Sequence, residues 1–181
     1  MPVTVEPLAR DGPRPRRAPP LVTLRPLTVA DVTDRYVAWM NDPRVTAFLI
    51  AGRVPQTHDT VRAFVAQFVW PQAAAWAIVN EAGVHVGNTQ IRLDWISDTG
   101  EVGILIGDPA QWRRGFAREA IHQVMRQAHR WGLRRLWAGT CNPACAALFR
   151  ACGWTHEGTQ PEHVWLNGGY HAHELYGVRL A

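Results

Sequence analysis

The sequence predicts one mixed α/β (α+β) domain over residues 21–181, with a mixed central sheet of about seven strands flanked by four helices. Three observations carry this. A chain of 181 residues with 47% apolar side chains has the size of one domain and can fill one sizeable core. Short apolar or alternating runs bounded by Gly, Pro, Asn and Asp recur along it, the pattern of strands. One long segment, 116–131, instead repeats its apolar residues at helical spacing.

Residues 1–20 hold six of the 13 prolines and four arginines against two acids, with no apolar period. They read as a flexible Pro/Arg-rich arm, a membrane or nucleic-acid tether being the alternative. Leu21–Leu27 reads as a strand. Thr28-Val-Ala-Asp31 resembles a capping box with Asp in place of Glu, opening a helix to Met40 that Asn41-Asp42-Pro43 ends. Residues 43–56 read as irregular. Thr57 caps a second helix running to about Trp70, where Pro71 stops it. Ala75–Asn80 and Val84–Trp95 are strands joined by Glu81-Ala82-Gly83, and Glu101–Gly107 is a short buried strand. Phe116–Trp131 carries its apolar residues at 116, 117, 120, 121, 124, 125, 128 and 131 and stops at Gly132. Arg135–Thr140 is a strand and Pro143–Cys152 a helix closed by Gly153. Asn167-Gly168-Gly169 joins two last strands in a hairpin.

All 19 basic residues are arginine. The absence of lysine excludes Schiff-base lysines, lysine general bases and the lysine of phosphate loops. Cationic work falls to guanidinium groups, which stay charged and suit phosphates. The formal charge is +4, yet much of the excess lies in residues 1–20, so the rest is close to neutral and a nucleic-acid partner is not expected. The three cysteines are clustered and odd in number, which points to a reducing cytoplasm rather than a disulfide scaffold. No apolar run has the length of a membrane span or the form of a signal peptide.

The segment Ile106–Ala120 carries chemistry. A buried strand ends, a short loop brings Arg113, Arg114 and Gly115, and a long helix starts at once. The first N–H groups of a helix have no internal partner, and its dipole is positive there. Gly115 lets a ligand approach the backbone. Together these suit a pyrophosphate, with an ordinary basic turn as the competing reading.

Trp112-Arg113-Arg114-Gly115-Phe116-Ala117, followed by Arg118-Glu119-Ala120, resembles motif A of the GNAT N-acetyltransferases, in the branch that contains ribosomal-protein N-terminal and amino-sugar N-acetyltransferases. Asn142-Pro-Ala-Cys145, Leu148-Phe149 and Gly153-Trp154 resemble that family's second block. Trp39-Met-Asn41-Asp42-Pro43 and Gly87-Asn88 match the same branch.

The resemblance implies a single GNAT-like domain. Acetyl-CoA would lie in a V-shaped gap between the strands at 101–107 and 135–140. Its pantetheine would pair with Ile104, Leu105 and Ile106, and its pyrophosphate would sit on N–H groups from Arg113 to Ala117 beside Trp112. Asn142 would touch the pantetheine or only cap its helix, and Phe149 would border the cofactor. Phe149 stands where many relatives carry a tyrosine general acid, so that acid is absent here.

The reaction implied is direct acyl transfer to a primary amine. Glu101 is the candidate base, against a solvated strand-end carboxylate. Cys145 is the candidate proton donor to the leaving thiolate, against a small packing residue. Trp39 and His173 are candidate substrate contacts, although sheet packing and a polar outer strand face explain them as well. Cys141, Cys145, Cys152 and His156 lack the paired spacing of structural zinc sites, so no metal is expected.

The acceptor expected first is a small-molecule amine such as an amino sugar. A protein or peptide N-terminus is the alternative, and a polycationic aminoglycoside ranks third because Asp59 is the single acid in 43–70. A CoA-binding module without turnover is a second class, a nucleic-acid binder using the arm a third. A homodimer is compatible with the chain.

Overall fold

The apolar runs close into one seven-stranded sheet in the computed structural model, which describes residues 22–180; the predicted arm at 1–20 lies outside them. The strands are β1 (Val22–Pro26), β2 (Ala73–Asn80), β3 (His85–Asp94), β4 (Thr99–Ile106), β5 (Arg135–Thr140), β6 (Thr155–Leu166) and β7 (Gly169–Arg179). They lie in the order β1-β2-β3-β4-β5-β7-β6. Hairpins and short turns make β2, β3 and β4 antiparallel neighbours. The β6–β7 hairpin turns on Asn167 and Gly168, both at positive φ, as a two-residue turn requires.

β4 and β5 alone are parallel, because the 15-residue helix α4 (Phe116–Arg130) crosses over between them. Their pairing covers only Thr99↔Arg135, Gly100↔Leu136 and Glu101↔Trp137. β4 then runs on to Ile106 and β5 to Thr140 without further pairing, so the strands diverge past Glu101.

Alternate residues of β4 face opposite layers. Val102 and Ile104 pack with Ile121, Val124, Phe149 and Tyr176, the core shared by α4 and α5 (Pro143–Ala151). Leu105 joins Tyr36, Trp39, Val61 and Val65 under α1 (Asp34–Asn41), α2 (Pro43–Thr46) and α3 (His58–Val65).

Three local expectations are corrected. The capping box at Thr28 is present, but it closes a 3-10 turn at Val29–Asp31 and α1 starts only at Asp34. Asp31 is held by Arg25 at 2.6 Å and by the Thr28 N–H at 2.8 Å, and Val32 leaves the helical region at once. The stretch expected to be irregular contains α2 and a 3-10 turn at Ile50–Arg53. Asp42 accepts from the Arg44 N–H, so Pro43 opens a helix at its first position instead of only ending the previous one. The helix capped by Thr57 ends at Val65, not near Trp70, because the following bonds, Gln67 N–H to Phe64 O and Phe68 N–H to Val65 O, tighten into turns leading to β2.

Candidate active site

The loop before α4 is held from both ends. The Trp112 indole N–H donates to the Ile106 carbonyl at 2.8 Å, tying the loop to the end of β4. Asp108 accepts from the Ala110 N–H and pairs with Arg35 of α1 at 2.8 Å. Arg113 (φ 60°) and Gly115 (φ 82°) are both left-handed, a backbone form that gathers successive N–H groups into an anion-binding concavity. Gly115 is the N-cap of α4 and has no side chain to satisfy the N–H groups that follow it.

The two arginines differ in placement. Arg114 donates to the Gln111 amide at 2.8 Å, reaches the Glu81 carboxylate at 3.5 Å and lies over the Phe116 ring at 5.0 Å. Arg113 is exposed and has no acidic partner among the described residues. Phe116 is buried and Ala117 half-buried.

Glu101 sits in the last β4–β5 pair before the strands diverge. Its cross-strand neighbour Arg92 is turned to the Gln67 amide and the Phe68 ring, leaving the carboxylate without an ion pair among the described residues. His173 lies against Gly139 of β5, where a β-carbon would overlap its ring. The ring stacks on His163 at 5.3 Å, and Nδ1 is 3.2 Å from the Gln160 amide oxygen. Burial and the His163 ring lower the His173 pKa below its ordinary 6.5, opposed by a backbone hydrogen bond at Gly139 and, less, by the Glu101 charge. At neutral pH the imidazole is uncharged and can accept a proton.

Other predicted residues have other surroundings. Asn142 accepts from the Ala144 N–H at 2.9 Å and caps α5. Burial pushes the Cys145 thiol up to about 11. Phe149 is 1% exposed, stacked on Trp154 at 4.7 Å and beside Tyr176, which places it in the core beneath the site. Trp39, 6% exposed, is likewise a packing residue: it touches Tyr36 and His85, and its ring occupies the space a β-carbon on Gly107 would need. Ile104, Leu105 and Ile106 are half-buried along the diverging edge. The described residues hold no group of three or more His, Cys, Asp or Glu arranged for a metal ion.

A cavity of about 250 Å³ lies on the α1–α3 side of β2, β3 and β4. Met40, Ile50, Val61, Phe64 and Leu105 supply apolar walls, and Tyr36, Asn88 and Gln90 supply neutral polar groups. No charged side chain lines it. Burial raises the Tyr36 phenol to about 12, so it stays a neutral donor. The sequence gives Gly87-Asn88 only as part of a motif and does not place the Asn88 and Gln90 amides at a cavity. The signal was their spacing: Asn88 and Gln90 are two apart in a strand and share one face.

A comparison with protein families matches residues 22–155 to the acetyltransferase (GNAT) domain. The chain belongs to the GNAT acetyltransferase family, an N-acetyltransferase class of enzyme. Its fold is shared with solved structures of low sequence identity. Spermidine N-acetyltransferase from Vibrio cholerae, in complex with CoA and spermine, is 19% identical over 88% of this chain and 96% of that one, with a TM-score of 0.77. The ribosomal L7/L12 alpha-N-protein acetyltransferase RimL, in complex with coenzyme A, is 18% identical over 91% and 97%, with a TM-score of 0.80. A putative phosphinothricin N-acetyltransferase is 21% identical over 88% and 99%, with a TM-score of 0.75. No curated protein matches the chain. Among the described residues no helix is long and apolar enough to cross a membrane.

Proposed function

We propose that this protein moves an acetyl group from acetyl-CoA to a primary amine by direct attack. The observation that carries the reading is the divergence of β4 from β5 past Glu101, next to the uncapped N-terminus of α4. Backbone groups of Val102–Ile106 that point into the gap have no strand partner and suit the amides of a pantetheine arm. The left-handed loop at Arg113 and Gly115 suits its pyrophosphate.

The amine nitrogen attacks the thioester carbonyl carbon, the C–S bond breaks, and the amine gives up a proton. Glu101 and the neutral His173 are the groups near the vertex of the gap that can take that proton. N–H groups of β4 at the gap would stabilise the tetrahedral oxyanion. A thiol held at about 11 cannot readily protonate a coenzyme thiolate, since an ordinary thiol titrates near 8.5. Cys145, packed against the core of Phe149 and Trp154, thus suits the reading of a small packing residue better than that of a proton donor.

The sequence reading ranked an amino sugar ahead of a peptide N-terminus. The uncharged, mostly apolar cavity beside Leu105 suits an amine with an apolar body better than a polyhydroxylated ring, and so favours the peptide-like acceptor. The test is thermal shift with acetyl-CoA followed by thiol release over an amine panel. A shift that Arg113→Glu reduces, with amine-dependent thiol release, is the expected result. No shift in the wild type would overturn acetyl-CoA binding, and a shift without release for any amine would leave a binding module.

A further inference from the structure

We infer that His163 is a positioning residue for removal of the amine proton: a bulge in β6 lays its ring on that of His173, and its charge keeps His173 free to act as a base at the gap. This rests on the acetyltransferase reading and concerns one proton of that reaction. The proton leaves the amine nitrogen for a ring nitrogen of His173 as the new C–N bond forms, and passes from there to water.

β6 is the edge strand of the sheet. Its Gln160 stands opposite His173 and its Val164 opposite His171, so Pro161, Glu162 and His163 share the single partner position of Ala172. Pro161 has no N–H to give a ladder, and Glu162 is left-handed (φ 50°). A bulge of this kind re-aims the side chains around it. Here it stacks the His163 ring on that of His173, with centroids 5.3 Å and planes 19° apart. His163 is the exposed ring of the pair and His173 the half-buried one.

His173 lies one residue beyond Thr140↔Glu174, the last β5–β7 pair, and its ring leans back over Gly139, in space that only a glycine leaves open. Leu136 and Ala138 of β5 enter the core under α4 and α5, so Gly139 belongs to the opposite face. Leu105 packs on that face with α1–α3, and Glu101 shares it by alternation along β4. His173 thus stands over the diverged part of β5, on the side of the sheet that carries Glu101.

The two rings act on each other through charge. Stacked rings oppose their faces rather than their nitrogens, so no hydrogen bond carries a proton between them. A proton on His163 opposes a second one on His173. The other groups facing His173 do not cancel this. From β6, Gln160 offers a neutral amide oxygen 3.2 Å from Nδ1. The Gly139 backbone on β5 and the Glu101 charge on β4 each act less on His173 than His163 does. On β7 itself, His171 is turned to the Leu166 carbonyl and the Phe48 ring, and Glu174 accepts from the Tyr176 hydroxyl on the other face.

The experiment uses the wild type, His163→Arg, His163→Gln and His163→Glu, all changes at an exposed position. The His173 ring protons, assigned by their loss in His173→Gln, are titrated by NMR in the free protein. The pH profile of kcat/KM is measured beside it with the best acceptor among glycinamide, glucosamine and spermidine. The ionisation of the amine is common to all four proteins and cancels in the ratio to the wild type. The His173 midpoint should rise in the order His163→Arg, wild type, His163→Gln, His163→Glu. Below it, kcat/KM should fall in the same order, by about threefold from wild type to His163→Gln, with the acetyl-CoA thermal shift unchanged. A midpoint indifferent to the charge at position 163, or moved alike by Arg and Glu, overturns the proposal, because a packing role would do either. So do an ordered titration and coincident pH profiles, which would leave the proton to Glu101. Absence of thiol release with every amine removes the acetyltransferase reading itself, and the proposal with it, whatever the titration shows.

Discussion

Glu101 and His173 come from strands far apart in sequence and both border β5, Glu101 opposite Trp137 and His173 against Gly139. Glu101→Gln keeps the shape and removes the base; kcat should fall about 100-fold, with little change in acetyl-CoA KM, in steady-state thiol release. The lowered pKa of His173 sets the pH dependence: kcat/KM should be level at neutral pH and decline only once the pH has fallen past the ordinary imidazole range, as the ring takes a proton. His85 has a stability counterpart. Its folded pKa is depressed, so as pH falls below 6.5 the unfolded chain binds a proton that the folded chain still refuses. Stability is therefore full above that value and is lost as pH falls towards the lowered one. Urea midpoints measured from about pH 7.5 to about 5 should show an acid decline that His85→Gln flattens.

At the scale of elements, α4 is placed by its start rather than by its stripe. The apolar face of Phe116, Ala120, Ile121, Val124 and Ala128 explains why it packs on the sheet. The left-handed Gly115 and the Trp112 bond to β4 explain where its first turn points. Gly115→Ala should cost about 1 kcal/mol of stability by forcing a side chain into left-handed backbone, and should weaken acetyl-CoA binding. Arg113→Ala should raise the acetyl-CoA Kd about tenfold by titration calorimetry. Arg114→Ala should act mainly on stability, since that side chain is already engaged by Gln111, Glu81 and Phe116. Gly107 is a packing counterpart: Gly107→Ala drives a methyl group into the Trp39 ring and should destabilise the fold by about 1–3 kcal/mol in denaturant unfolding.

For the whole molecule, the described residues 22–180 already contain the sheet, both helical layers and the candidate site. Removing residues 1–20 should leave acetyl-CoA affinity and amine-dependent thiol release unchanged by calorimetry and steady-state assay; a loss of either would assign the arm a part in the site.

Much of this was legible in the chain because it depends on neighbours in sequence. Strand alternation, the stripe of α4, the Asn167-Gly168 turn and the Arg113-Arg114-Gly115 loop are local patterns, and local patterns determine element type and the position of a helix end. The same patterns fail where two local rules compete, as at Pro43, which ends one helix and opens another. Contacts across the fold were not legible. Tertiary structure alone decided that Trp39 and Phe149 are core, that Arg114 is tied down while Arg113 has no acidic partner among the described residues, and that His173 lies against Gly139 of β5. It alone left the Asn88 amide unpaired at an uncharged cavity. The reason is physical: burial, pKa and hydrogen-bond satisfaction depend on strand register and layer packing, which bring together residues that no spacing in the chain connects.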